Sequence, residues 1–245
     1  MSRGEVCIVI PCHNEAACIR GVLDSLRRSQ PEASLVVVND CSTDATGEVL
    51  AGESGITVLT LPVNLGIGGA VQTGLMYAAR NGFRYAVKFD GDGQHPADLV
   101  DELLAPIREG RADLVIGSRF LGDVNGFKST SMRRVGIRFF RWLNSALVGR
   151  RMTDNTSGFR AYSREALIFA EEHYPSFDYP EPEEVVLMSR NGFRILEIPT
   201  PMRERSGGVS SINFWKSAYF MVKVFFSVVV AALRPRIRKT EGAEE

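Results

Sequence analysis

The sequence is poor in the features that define several protein classes. Its four cysteines, Cys7, Cys12, Cys18 and Cys41, contain no C-x-x-C pair and all lie in the first fifth of the 245 residues. That spacing argues against a disulfide framework and against a zinc site. Cys7 sits in an apolar run and reads as a small core residue, and cysteine usage of this kind fits a reducing compartment. Net charge is also missing: Lys+Arg and Asp+Glu both number 29, so global charge selects no partner. No internal repeat is evident. No leader is expected, because Met1-Ser2-Arg3-Gly4-Glu5 runs straight into a strand-like segment. With 44 % hydrophobic and 24 % charged residues, the chain is neither disordered nor a polytopic membrane protein. Its length suits one large α/β unit with a buried core.

What is present is an alternation of two periodicities. Apolar, β-branched runs at Val6 to Pro11, Leu35 to Val38, Ile56 to Leu61, Tyr85 to Phe89 and Leu114 to Ile116 predict five strands. Between them, helical patterns are expected over Glu15 to Ser29 with Asn14 as cap, from Asp44 toward Leu50, over Gly66 to Arg80, and over Pro96 to Glu109. Such β-α alternation implies a mostly parallel sheet covered by helices on both faces. Further strands are expected at Phe159 to Tyr162 and Phe193 to Ile198, and Ser163 and Pro182 each precede a helix-like stretch.

Ligands of such sheets bind beyond the carboxyl ends of the strands. His13-Asn14-Glu15, Asn39-Asp40, Asn64, Asp90-Gly91-Asp92 and Ser118-Arg119 fall at those ends, so five strands deliver polar groups to one rim. Asp90 and Asp92 lie one residue apart on a glycine-bearing turn and can face a single divalent ion. Mg²⁺ or Mn²⁺ is usually held by one or two carboxylates plus substrate phosphates. An ion there would neutralise a nucleotide diphosphate as it departs. Asn64 to Ala70 has a competing reading as a dinucleotide fingerprint, which fails because Val71 stands where the third glycine is needed and the loop follows the third strand. A nucleotidyltransferase would need a glycine-rich basic loop after the first strand, where Cys12-His13-Asn14-Glu15 stands instead.

Taken in order, Val9-Ile10-Pro11-Cys12-His13-Asn14-Glu15, Asn39-Asp40-Cys41-Ser42-Thr43-Asp44, Asn64-Leu65-Gly66-Ile67-Gly68-Gly69-Ala70, Asp90-Gly91-Asp92-Gly93-Gln94 and Gly117-Ser118-Arg119 resemble a family 2 glycosyltransferase of the GT-A, Rossmann-like fold. Thr153-Asp154-Asn155-Thr156-Ser157-Gly158-Phe159-Arg160 extends the likeness to dolichyl-phosphate mannose synthases and bacterial polyprenyl-phosphate glycosyltransferases. The resemblance implies an inverting transferase that takes its sugar from a GDP- or UDP-linked donor. It implies that Pro11, Asn14, Glu15, Asp40, Asn64, Gly68, Asp90 and Gln94 serve the nucleotide sugar, and that Asp90 and Asp92 hold the metal. Where the family often has Asp-Asp, this chain has Asn39-Asp40, so only Asp40 carries over.

The acceptor implied by the resemblance is a polyprenyl phosphate, either dolichyl or undecaprenyl. Arg119, an arginine of the Arg133-Arg134 pair, and Arg203 or Arg205 would grip its phosphate, since guanidinium pairs bidentately with phosphate. A phosphate monoester is already ionised near neutral pH, so positioning and charge neutralisation suffice. A hydroxyl acceptor in a polysaccharide or glycolipid would instead need a carboxylate base. Asp154 and the cluster Glu181-Pro182-Glu183-Glu184 are the candidates, with Glu183 also a sugar contact. A third reading is a non-catalytic nucleotide-sugar-binding subunit.

The second half of the chain points to a membrane. Lys128, Arg133, Arg134, Arg138, Arg141, Arg150, Arg151, Arg160 and Arg164 crowd one stretch against a single acid, Asp154. Met132 to Leu147 reads as an amphipathic helix with a basic face and aromatics, suited to a membrane interface rather than to nucleic acid. The expected organisation is a GT-A domain over 1–210, an apolar helix over 211–234 lying in the interface or docking on a partner, and a polar tail over 235–245. No clear pair of spanning helices is present. The chain therefore reads as a peripheral form on the cytoplasmic side of a membrane, with a small membrane protein or a second copy as candidate partner.

Overall fold

The structure, a computed structural model, describes residues 4–121, 141–175, 180–201 and 214–237, the last segment by backbone alone as far as residue 222. The first half alternates strand and helix: β1 (Val6–Cys12), α1 (Ile19–Ser29), β2 (Ser34–Asn39), α2 (Thr46–Ala51), β3 (Ile56–Thr60), α3 (Gly66–Arg80), β4 (Tyr85–Lys88), a 3₁₀ turn (Ala97–Leu99), α4 (Val100–Arg108) and β5 (Leu114–Ser118). The second half supplies α5 (141–148), β6 (Arg160–Tyr162), α6 (Arg164–His173), α7 (Glu181–Arg190), β7 (Ile195–Pro199) and α8 (Phe214–Leu233).

The seven strands form one sheet in the order β3-β2-β1-β4-β6-β5-β7. All neighbours are parallel except β6, which runs antiparallel to both β4 and β5. Alternation along each strand sends residues to opposite faces. Ile8, Ile10, Val37 and Val87 pack under α1 and α4 with Leu23, Leu26, Leu103 and Leu104. Cys7, Val9, Val36, Ile116 and Tyr162 pack under α3 and α6 with Val71, Leu75 and Leu167. Both faces are covered, so the strands read as continuous apolar runs. Helix α3 lies close to the sheet at Gly74, where an added Cβ would overlap the Cγ1 of Val9.

Several sequence expectations shift in register. Helix α1 begins at Ile19, and Asn14 does not cap it. Asn14 takes a positive φ of 57° and turns its Oδ1 to the backbone N–H groups of Thr43 (2.8 Å) and Asp44 (3.2 Å). The chain therefore needs four more residues to turn from β1 into its helix. Pro96 precedes a 3₁₀ turn rather than an α-helix. Ser163 caps α6, accepting from the Ala166 N–H at 3.2 Å. Two arginines of the basic stretch serve the interior instead of a partner. Arg160 is fully buried, and Arg164 donates to the carbonyls of Ala79 and Phe83.

The C-terminal helix α8 packs on α7 through Val224, Val228 and Ala231 against Val186, with Leu143 and Val148 of α5 alongside. Trp142, Phe226, Val230 and Leu233 remain exposed. Among the described residues no helix is long and apolar enough to cross a membrane. Of the amphipathic stretch expected over Met132 to Leu147, residues up to 140 lie outside the described residues, as do Arg133, Arg134, Arg203 and Arg205.

Candidate active site

The carboxyl ends of β1, β2 and β3 are stitched to one another by short polar side chains. Asp40, just beyond β2 and buried, accepts the Leu65 N–H at 2.7 Å. His13 Nδ1 lies 2.7 Å from the Asp40 carbonyl, and Asn64 Nδ2 lies 3.2 Å from that same nitrogen. Asn64 Oδ1 accepts from Gly66 N–H at the start of α3. The Glu15 N–H donates to Thr46 Oγ1. Asn14, Glu15, Asp40 and Asn64 are thus tied together at one end of the rim, and Pro11 lies near the end of β1 beside them. Gly68 is buried in the first turn of α3.

Across β4 the rim carries cations as well as carboxylates. Asp90 and Asp92 follow β4, and Gln94 N–H donates to Asp92 Oδ1 at 3.0 Å. Gly91 brings this turn against the Pro11 carbonyl, where an added Cβ would sit at 3.2 Å. His95 Nε2 lies 3.0 Å from Asp90 Oδ2. Asp90 Oδ1 is buried and has no hydrogen-bond partner among the described residues. Burial alone would push the Asp90 carboxyl upward, but the charges of Lys88 and Arg119 and the hydrogen bond from His95 outweigh it and hold the group well below the usual carboxylate range. Among the described residues no three His, Cys, Asp or Glu side chains gather as a closed metal cage. An ionised carboxylate with a bare buried oxygen, beside a second carboxylate, fits a divalent ion that takes its remaining ligands from substrate phosphates.

Arg119 and Asp154 meet beside Asp90. Two parallel hydrogen bonds join them, Nε to Oδ2 at 2.6 Å and Nη2 to Oδ1 at 2.8 Å. The Arg119 N–H also donates to Oδ2, and its Nη2 to Thr156 Oγ1 at 2.6 Å. The Asp154 side chain is fully buried. The acidic cluster at the start of α7 is equally engaged. Glu181 pairs with Lys88. Glu184 accepts from Arg160 Nη1 at 2.5 Å and from the Tyr162 hydroxyl at 3.3 Å. Burial pushes the Glu184 carboxyl up despite Arg160. Glu183 is buried in the same turn.

Three of these residues had no assigned role in the sequence. Lys88 is a charge inside a four-residue buried strand, His95 directly follows the acidic motif, and Arg160 closes the second motif and is fully buried. A charged residue at a position the strand period assigns to the core was the available signal for Lys88. Gly158 is fixed by close approach: a Cβ there would lie 2.5 Å from Asp90 Oδ2.

The model of glycosyl transferase family 2 matches residues 7–169. An undecaprenyl-phosphate mannosyltransferase of Micrococcus luteus is 31 % identical over 218 residues, which cover 85 % of this chain and 87 % of that protein. A UDP-N-acetylglucosamine–dolichyl-phosphate N-acetylglucosaminyltransferase of Methanococcus voltae is 28 % identical over 210 residues, 78 % of this chain and 83 % of that one. Among solved structures, the glucosyl-3-phosphoglycerate synthase of Mycobacterium tuberculosis, crystallised with Mn²⁺, UDP and glucosyl-3-phosphoglycerate, superposes with a TM-score of 0.69. That match covers 96 % of this chain and 81 % of the other at 22 % identity, and it shows the shared GT-A architecture.

Proposed function

The chain belongs to glycosyl transferase family 2, and from that premise we propose that it moves a sugar from a nucleotide diphosphate sugar to a polyprenyl phosphate, with inversion at the anomeric carbon. The observation that carries the acceptor is the engagement of the carboxylates around Asp90. Asp154 is committed to Arg119, Glu181 to Lys88 and Glu184 to Arg160. A hydroxyl acceptor needs a carboxylate able to take its proton, and of the four expected candidates these three are held by cations, with Glu183 the one left to test. A phosphate acceptor arrives ionised and needs none. Both relatives described above act on a prenyl phosphate while carrying different sugars, which supports the acceptor class without selecting the sugar.

In this reading the end of the rim built by Pro11, Asn14, Glu15, Asp40, Asn64 and Gly68 receives the nucleotide, GDP or UDP. Asp90 and Asp92, with Gln94 beside them, would hold Mg²⁺ or Mn²⁺, which when bound neutralises the departing diphosphate. A phosphate oxygen of the acceptor attacks the anomeric carbon as the bond to the donor's diphosphate breaks. Arg119, fixed by Asp154, supplies positive charge beside that path, and Arg133 or Arg134 and Arg203 or Arg205 are proposed to complete the grip on the acceptor. Glu183 is proposed as a contact to the transferred sugar.

A lipid acceptor calls for work at a membrane, and we propose its cytoplasmic side. The exposed Trp142, Phe226 and Leu233, 66 %, 60 % and 77 % accessible, support this, with exposed Arg151, Arg234 and Arg236 able to meet anionic headgroups.

The test is a partition assay: purified protein, a polyprenyl phosphate, Mg²⁺ or Mn²⁺ and a panel of radiolabelled nucleotide sugars. Label entering the organic phase from one donor, and lost in Asp92→Ala, supports the proposal and names the sugar. Release of nucleotide diphosphate only when a saccharide is added would transfer the assignment to a hydroxyl acceptor, with Glu183 the base to examine.

A further inference from the structure

We infer that His95 is the positioning residue of the metal-binding carboxylate, fixing the rotation of Asp90 so that one oxygen is committed to the protein and the other is kept for the cation. The inference rests on the metal reading above.

The terminal torsion of an aspartate is broad and roughly two-fold, so Asp90 alone would not hold one orientation. His95 does not share that freedom. Its ring stacks on Phe159, centroids 5.0 Å apart and 18° from parallel, and meets Phe89 edge-on at 5.5 Å. It is 4 % exposed. Asp90 as a carboxylate only accepts, so Nε2 carries the proton it donates to Oδ2 across 3.0 Å. Nδ1 is buried with no hydrogen-bond partner among the described residues, so among them the bond to Asp90 is what orients the ring's polar edge. From the other side Gly158 permits Oδ2 to sit where any Cβ would stand 2.5 Å away. Oδ1 is left buried and without a hydrogen bond. Such an oxygen is costly unless something pairs with it, and a divalent ion is the partner this arrangement provides for.

Carboxylate ligands held by outer hydrogen bonds typically lose 10–100-fold in metal affinity when the support is removed. A histidine that merely filled space between two phenylalanines would be replaced by leucine without that loss. The experiment is Mn²⁺ titration of the full chain, with UDP present, followed by the electron paramagnetic resonance signal of free Mn²⁺. His95→Leu is expected to weaken binding about 10–100-fold while thermal unfolding confirms a folded protein. His95→Gln, which restores an N–H donor, is expected to recover most of the affinity. Equal affinity in wild type and His95→Leu would overturn the inference, as would equal losses in the leucine and glutamine variants. Failure of the wild type to bind Mn²⁺, with Asp92→Ala no different, would overturn the metal reading itself, and is distinguishable from both.

Discussion

Arg119 and Asp154 face each other as a two-bonded fork, Nε to Oδ2 at 2.6 Å and Nη2 to Oδ1 at 2.8 Å, with the carboxylate fully buried. Removing one member of a buried pair leaves an uncompensated charge and costs about 3–5 kcal/mol. Asp154→Ala is therefore expected to destabilise the protein by about that amount in urea unfolding. Arg119→Lys, which keeps the charge but not the planar fork, is expected to lower turnover more than stability. Equal stability of Asp154→Ala and wild type would show that the pair does not hold the rim together.

Lys88 and Glu181 form a second buried pair, linking β4 to the first turn of α7. Lys88→Met alone strands Glu181, and a loss of about 3–5 kcal/mol is expected. The double change Lys88→Met, Glu181→Leu should recover most of that stability, because apolar residues replace a buried pair at little cost. It should not recover activity, since Lys88 is one of the charges that keep Asp90 ionised. Chemical denaturation and the partition assay, run on the same three proteins, separate the two effects.

Asp90 also makes stability depend on pH. Its folded carboxyl is held well below the usual range, so the folded state favours the ionised form. The resulting stabilisation is complete above the ordinary aspartate value of about 4 and is lost as pH falls from there toward the folded value. Wild type should therefore exceed Asp90→Asn in stability at neutral pH, with the gap closing progressively below about pH 4. A gap independent of pH would mean that the surrounding cations do not act on this carboxylate.

Two glycines should fail in different ways. Gly158→Ala places a methyl 2.5 Å from Asp90 Oδ2, so Mn²⁺ affinity and turnover should fall with a modest change in melting. Gly74→Ala drives a methyl into Val9 at the α3–sheet contact. A cost of about 1–3 kcal/mol is expected from such overpacking, with the remaining folded protein still able to bind nucleotide. Calorimetry and nucleotide binding distinguish them.

Much of the first half was legible in the sequence because its signals are local. Val6 to Pro11 and Gly66 to Arg80 carry the strand and helix periods within single windows, and α3 lies where its pattern places it. The polar ends of β1 to β5 share a rim for the topological reason that parallel strands have their carboxyl ends together. What stayed hidden depends on pairing across the chain. Lys88 finds Glu181 and Arg160 finds Glu184 over long separations, and no local pattern announces which acid a buried cation will meet. Asn14 misled for a related reason: asparagine before an amphipathic stretch is a common cap, yet here the side chain serves the loop after β2.

Strand β6 runs against its neighbours, pairing Lys88 with Arg160 at the rim and Ala86 with Tyr162 farther down. Its entry rather than its exit therefore opens on the rim, and the preceding turn from Asp154 to Phe159 is delivered between β4 and β5. The rim thus joins two separate stretches of the chain, β1 to β4 and the turn before β6, which meet along the β4–β6 pairing. The stretch between β5 and β6 can therefore change in length without disturbing the pairing of β1 with β2 and β4, or of β2 with β3.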